Sequence, residues 1–413
     1  MQTYFTEIKT EIAKKMSSNP SRLRTKNLGP ILDADVEFGD LTVFVGPQAS
    51  GKSVFLQTLK LVLDRNHIHN TFDHHNMEFK NDPRAFLGGY FGRGMGGMLD
   101  NDPAPTVTWD SKSQSLSEFA KRARRRRGSD SRVSERVFYI PAQRVVSLPG
   151  GVSQPFTTFK YGDPYALRYF ADQVHNLLQN EFGSGVALFP LPNRLNDTLR
   201  TPITKHFFGG AKLNVELKDF TKSITLKVDG LKEGLPYLAW SAGQREFLPL
   251  LLGMYFLCTG GKVSRRDEIE WVIVEEPEMG LHPRAISTVL LMVLELMRRG
   301  YKVAISTHSP VVLDMVWAMR TIIENNGGEK DVRKLFELAS NPTTKGIAES
   351  ALSKTYKVYF FENGKVARDI STLDPGSDAP EEANWGDLLG FSSRTGSIIS
   401  DVVSRHETPS ATE

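Results

Sequence analysis

The stretch LTVFVGPQASGKSVFLQTLKLVL, residues 41 to 63, decides how this chain is read. Leu41 to Val45 is a short apolar run of strand type, and Phe55, Leu56, Leu59, Val62 and Leu63 recur at helical spacing. Between them Gly46, Pro47, Gln48, Ala49, Ser50, Gly51, Lys52 and Ser53 fit the pattern G-x-x-x-x-G-K-S/T. Strand, loop and helix in that order make a phosphate grip. The glycines let the backbone curl so that successive N–H groups point inward, and the helix brings its positive end to the same place. Lys52 is then placed to reach the β- and γ-phosphates, and the Ser53 hydroxyl to ligate magnesium. The competing interpretation is a plain glycine turn; the flanking strand and helix favour nucleotide.

Composition narrows the field. At 413 residues, 40% hydrophobic and 24% charged, the chain has the make-up of a soluble globular protein with room for one elaborated domain or two ordinary ones. A formal net charge of +3 is too small to imply an acidic partner, so any nucleic-acid argument must rest on local clusters. Cys258 is the single cysteine, which excludes intrachain disulfides; beside Phe256 and Leu257 it reads as a buried small hydrophobe, and a reducing cytoplasm is the expected compartment. No run reaches the roughly eighteen apolar residues of a membrane span, and no signal-peptide core is expected at the N-terminus.

From Asp64 to Arg136 the sequence reads as a polar, irregular insertion outside the core. His67, His69, His74 and His75 cluster in HIHNTFDHH without a standard metal-site spacing, so a solvated loop is expected there. GGYFGRGMGG has glycines at 92, 94 and 97 but neither a preceding strand nor a following helix, and is expected to be a flexible loop. Lys121, Arg122, Arg124, Arg125, Arg126 and Arg127 form a cationic run that must face solvent, phosphates or an acidic partner.

Structure resumes at RVFYIPAQR, a strand ended by Pro141 that places Gln143 and Arg144 just beyond a strand end, where ligands collect in open α/β sheets. A helix follows from Pro164, then the short meander strands AKLNVEL and SITLKVDG. In YLAWSAGQREFLPLLL, Ser241 and Gln244 have capping-box spacing ahead of an apolar helix. Such a start is also an anion site. Two anion sites in one chain are best reconciled by a dimer in which this helix end faces the partner's nucleotide. EWVIVEEPEMGLHP holds the apolar strand Trp271 to Val274 ended by Glu275 and Glu276. Adjacent carboxylates after a buried strand are costly unless a cation or proton chemistry uses them, and alternation turns one toward magnesium and the other toward an attacking water. Pro283 opens a helix that stops at RRG, and the strand KVAIST leads to His308, placed to hydrogen-bond a terminal phosphate.

Taken together, GPQASGKS, SAGQRE, VIVEEPE, GLHP and STHS resemble the ABC-type ATPase fold in its branch with RecF, SMC heads and OLD-like ATPases, from about Leu23 to Lys365. That resemblance implies an α/β head over residues 1–365 with a mixed central sheet and a helical subdomain carrying the signature (about 160–260); the sequence itself adds the loop insertion at about 64–136 and an acidic extension and tail from 366 to 413. It implies ATP and Mg2+ as cofactors: Gly46 to Ser53 on the phosphates, Ser53, Glu275 and the Q-loop candidate Gln143 at magnesium. Glu276 is implied as the base, His308 as the γ-phosphate sensor, and Ser241, Gly243 and Gln244 as the group acting on the partner's nucleotide. The signature reads SAGQ rather than SGGQ, and the first acid is Glu where many relatives carry Asp.

Roughly 190 residues separate the phosphate loop from the signature, more than in transporter ATPases, and no heptad run offers an SMC-like coiled coil. The last hundred or so residues lack the acidic pattern of the TOPRIM nuclease that OLD relatives carry, and RHETPSATE looks like a disordered tail. Two functions stay open. One is a homodimeric or larger regulatory ATPase controlling a separate effector, nuclease or toxin, similar to the ATPases of PARIS- and Septu-type bacterial anti-phage systems. The other is a RecF-like DNA clamp gripping phosphates through the arginine run.

Overall fold

A computed structural model describes residues 21–123, 133–218, 220–258, 265–386 and 388–407. Its centre is a six-stranded sheet in the order Arg368–Asp369, Tyr356–Phe360, Leu41–Val45, Lys302–Ser306, Trp271–Glu275, Val137–Ile140. Five strands are parallel and the edge strand Arg368–Asp369 is antiparallel, so the sheet is mixed, as expected. Leu41–Val45, Trp271–Glu275 and Val137–Ile140 are buried along their whole length, which is why they read as continuous apolar runs.

Alternation along these strands feeds two cores. Leu41, Val43, Val272, Val274, Val303 and Ile305 pack on one side with the helices Ala242–Leu257 and Pro283–Arg298. Phe44, Tyr139, Ile273 and Ala304 pack on the other with Phe55, Leu56, Leu59 and Phe72 of the helix Lys52–His74. The registers pair Ser306 with Phe44 on one flank and with Glu275 on the other, and Val274 with Ile140. The loops after four strands therefore leave from the same edge of the sheet.

Two antiparallel sheets flank this core. One, in the order Ile31–Glu37, Arg22–Leu28, Thr106–Trp109, Lys112–Ser115, precedes and follows the phosphate loop. The other contains the expected meander Lys212–Lys218 and Thr221–Lys227, so the signature-bearing part holds a sheet as well as helices.

The segment 64–136 departs from its sequence expectation. The helix begun at Lys52 runs on to His74, a second helix spans Pro83–Phe91, and Thr106–Trp109 pairs with Arg22–Leu28. Phe86, Leu87, Tyr90 and Leu116 are fully buried. GGYFGRGMGG is structured: Gly88 and Gly89 lie in the helix and Gly94 starts a 3-10 turn over Met95–Asp100. Nor does the core end at residue 365. Arg368–Asp369 joins the sheet, the buried Trp385 donates to Asp314 at 2.7 Å, and the final helix Gly390–Glu407 takes in the start of the stretch expected as a tail; residues 408–413 lie outside the described residues.

One buried ionic knot fastens the phosphate-loop helix to the sheet. Lys60, wholly buried, donates to Asp64 at 2.9 Å, Glu135 at 2.8 Å and the Val137 carbonyl at 2.5 Å, while Asp64 accepts from the Arg136 and Val137 amides. Burial pushes the Glu135 carboxyl pKa up despite Lys60 beside it. Lys60→Met leaves two carboxylates without their cation and is expected to lower stability by about 3 kcal/mol in urea unfolding; a change below about 1 kcal/mol would show that the knot is not structural.

Candidate active site

The phosphate loop needs glycine at both ends. Gly46 has φ 137°, and a Cβ there would stand 2.0 Å from the Phe361 carbonyl oxygen; Gly51 has φ 95°, and its Cβ would meet Ile31 Cγ1 at 2.5 Å. Ala49 is also left-handed, at φ 59°. Lys52, nearly buried, arches over the loop and donates to the carbonyls of Gly46 at 2.8 Å and Pro47 at 2.7 Å and to Ser50 Oγ at 3.2 Å. Desolvation pulls its ammonium down to about 8, against the upward pull of Glu276, Glu278 and Glu275.

The two acids sit as alternation requires. Glu275 is the last residue of its strand and buried; Oε2 accepts the Ala142 amide at 3.2 Å, whereas Oε1 has no hydrogen-bond partner. Ser53 and Tyr139 face this carboxylate and favour its charge, but burial dominates and raises its pKa. The Ser53 hydroxyl and the Glu275 carboxylate, whose buried Oε1 has no hydrogen bond, form an oxygen donor set that fits magnesium. Glu276 follows with φ 42°, an unusual conformation for a non-glycine residue, pinned by its amide to Ser306 O at 2.9 Å. Its Oε1 lies 3.7 Å from His308 Nε2, and burial lowers the His308 pKa, favouring the neutral imidazole.

A third acid went unassigned in the sequence. Glu278 Oε1 accepts from Thr307 Oγ1 at 2.8 Å and the His308 amide at 2.5 Å, tying the acid loop to the histidine turn. Its position in VIVEEPE was visible, but its partners lie some thirty residues away, beyond the reach of local pattern. Arg144, just beyond its strand end, is fully buried and bonds the same acid loop, a role its sequence position does not reveal. Gln143 stands at the expected strand end with an exposed side chain that bonds neither Ser53 nor Glu275.

The signature begins a helix as expected. Ser241 Oγ accepts the Gln244 amide at 3.3 Å and Gln244 Oε1 accepts the Ser241 amide at 3.0 Å. Gly243 is where the acid loop comes close, since a Cβ there would lie 3.1 Å from Gly280 O. Ser241 is exposed, and among the described residues no hydrogen bond joins residues 241–244 to the phosphate loop.

The histidine cluster disperses along its helix rather than lying in a solvated loop: His67 meets Tyr169 Oη at 2.9 Å, His69 meets the Phe119 carbonyl at 3.1 Å, and His75 stacks on Phe156. Among the described residues no three His, Cys, Asp or Glu side chains converge as a metal site. Arg122 pairs with Asn70 and Asp73, while Arg124 to Arg127 lie outside the described residues. Cys258 is buried, its thiol pushed up to about 12. No helix among the described residues is long and apolar enough to cross a membrane.

Residues 171–314, which include the signature, the acids and His308, match the family described as "AAA domain, putative AbiEii toxin, Type IV TA system". No curated protein matches the chain. Among solved structures it is similar to the SMC head domain from Thermotoga maritima, at 13% identity over 84% of this chain and 97% of that one, with a TM-score of 0.35. It is also similar to an SMC head bound to the C-terminal winged-helix domain of ScpA, at 12% identity over 84% and 95%, with a TM-score of 0.39.

The depressed Lys52 pKa has a measurable consequence. Near pH 9 the free lysine is mostly neutral, and a polyphosphate held against it restores the charge, so binding of inorganic triphosphate takes up as much as about one proton. Titration calorimetry in buffers of different ionisation enthalpy measures this uptake; an uptake unchanged in Lys52→Met would place the proton elsewhere.

Proposed function

We propose that this protein is a magnesium-dependent ATP hydrolase of the ABC type. The observation that carries it is the convergence, at one sheet edge, of the Lys52 loop, the buried Glu275 carboxylate facing Ser53, and Glu276 3.7 Å from His308. In this proposal the amides of Gly46 to Ser53 and the Lys52 ammonium hold the β- and γ-phosphates. Ser53 and Glu275 would hold magnesium, with Gln143 the further candidate ligand. Magnesium, when bound, neutralises phosphate charge and fixes the phosphates. Glu276 takes the proton of the attacking water as its oxygen bonds to the γ-phosphorus; the bond to the β–γ bridging oxygen breaks and ADP leaves with that electron pair. Neutral His308 donates to a γ-phosphate oxygen, and Glu278 keeps it in place through its backbone amide.

The second half-site belongs to another copy. The exposed, capped helix start at Ser241, Gly243 and Gln244 offers amides and a hydroxyl to an anion, and serves the nucleotide of a partner chain. ATP thus closes a homodimer and hydrolysis reopens it. The match to a toxin–antitoxin family favours the regulatory role, in which the closed state controls a separate effector, a nuclease or toxin of an anti-phage system in the cytoplasm.

Glu276→Gln keeps the size and removes the base. Turnover should fall by about 10²-fold or more with ATP affinity retained, and the closed dimer should accumulate on size-exclusion chromatography. Undiminished turnover would remove Glu276 from the role of base.

A further inference from the structure

The acid loop and the signature helix share one buried cation. Arg144 is fully buried, and its guanidinium divides between two elements. Nε donates to the Glu246 carbonyl at 3.1 Å, inside the signature helix, while Nη1 donates to the Glu275 carbonyl at 3.1 Å and both Nη atoms to the Glu276 carbonyl at 3.2 Å. The partners are backbone oxygens, so the bonds fix main-chain position. They hold Glu276 in the left-handed conformation its side chain disfavours.

The same guanidinium has an alternative partner within reach. Glu246 Oε2 lies 3.8 Å from Arg144 Nη2, too long for a hydrogen bond, and that oxygen is buried without another partner. A carboxylate is a stronger acceptor for guanidinium than a carbonyl. A small rotation of the signature helix that shortens this gap draws Nη2 from the Glu276 carbonyl to the Glu246 carboxylate. Contact between the signature helix and the acid loop is tight enough to transmit such a rotation, since a Cβ on Gly280 would meet Glu246 Cγ at 2.9 Å and one on Gly243 would meet Gly280 O at 3.1 Å.

We infer that Arg144 is a positioning residue that couples the signature helix to the base Glu276 of the same chain, so that nucleotide engaged by that helix on the partner sets the geometry of hydrolysis at the chain's own site. This rests on the proposed roles of Glu276 and the signature helix. Arg144 touches no reacting atom; it acts through the carbonyls of Glu275 and Glu276.

The test compares the full chain with Arg144→Lys and Glu246→Gln. Lysine keeps the buried charge but cannot reach Glu246 and Glu276 together. It should lower kcat about tenfold or more while ATP affinity, measured in parallel with a fluorescent analogue, stays within about threefold. The Hill coefficient for ATP should be above one in the wild type and fall to about one in Arg144→Lys. Glu246→Gln retains the backbone bond but weakens the alternative acceptor, so it should lose cooperativity while keeping kcat within about threefold. If Arg144→Lys does not fold, Glu246→Gln decides alone. Wild-type cooperativity surviving in both variants, or a wild type that hydrolyses without cooperativity, overturns the link. A wild type that binds ATP but never hydrolyses it overturns the parent proposal as well.

Discussion

The site depends on the parallel pairing of Lys302–Ser306 with a strand on each side. Ser306 is in register with Phe44 and with Glu275, and backbone bonds carry that register past the strand ends: Thr307 N donates to Phe44 O and Glu276 N to Ser306 O. A slip of one residue in either pair would turn Glu275 out of the site and separate the phosphate loop from the acids. Buried apolar side chains on both faces lock the register, so the geometry of a polar site is set by Val43, Val272, Ile273, Val303 and Ala304, which carry no chemistry themselves.

Two buried charges away from this edge are fully paired. Lys60 has two carboxylates and a carbonyl, and Glu295 has Arg298 and Arg299. Among the described residues, the buried carboxylate oxygens without a hydrogen bond are those of Glu246, Glu275 and Glu278, all on or against the acid loop. Leaving such oxygens open costs folding free energy unless function uses them. One belongs to the carboxylate that faces Ser53, one to the residue that orders His308, and one stands short of Arg144.

The phosphate loop, the acid strand and the capped signature helix were legible in the sequence because each is written in neighbouring residues: a glycine spacing, an apolar run, a Ser–Gln pair three apart. The region from 64 to 136 was not. Past Leu63 the long helix is rich in Asn and His and loses its apolar rhythm, because partners from other segments, Tyr169, Phe119 and Phe156, cover its polar and aromatic groups. The next helix carries Gly88 and Gly89 among its buried aromatics, so it resembles a loop in composition. The roles of Arg144 and Glu278 were hidden for a further reason. The bonds of Glu278 reach 29 and 30 residues along the chain and those of Arg144 reach 102 to 132, and all but the one from the Thr307 hydroxyl involve backbone atoms, which no residue pattern records.

The central claim is that one complete site needs two chains. The most direct measurement mixes Lys52→Ala, whose own phosphate loop is disabled, with Ser241→Arg, whose signature helix cannot approach a nucleotide, and reads ATP turnover. Each variant alone should be inactive, and the mixture should regain turnover, since one intact phosphate loop then meets one intact signature across the dimer. A mixture as silent as its components, with both variants folded and Ser241→Arg still binding ATP, would contradict a site shared between chains.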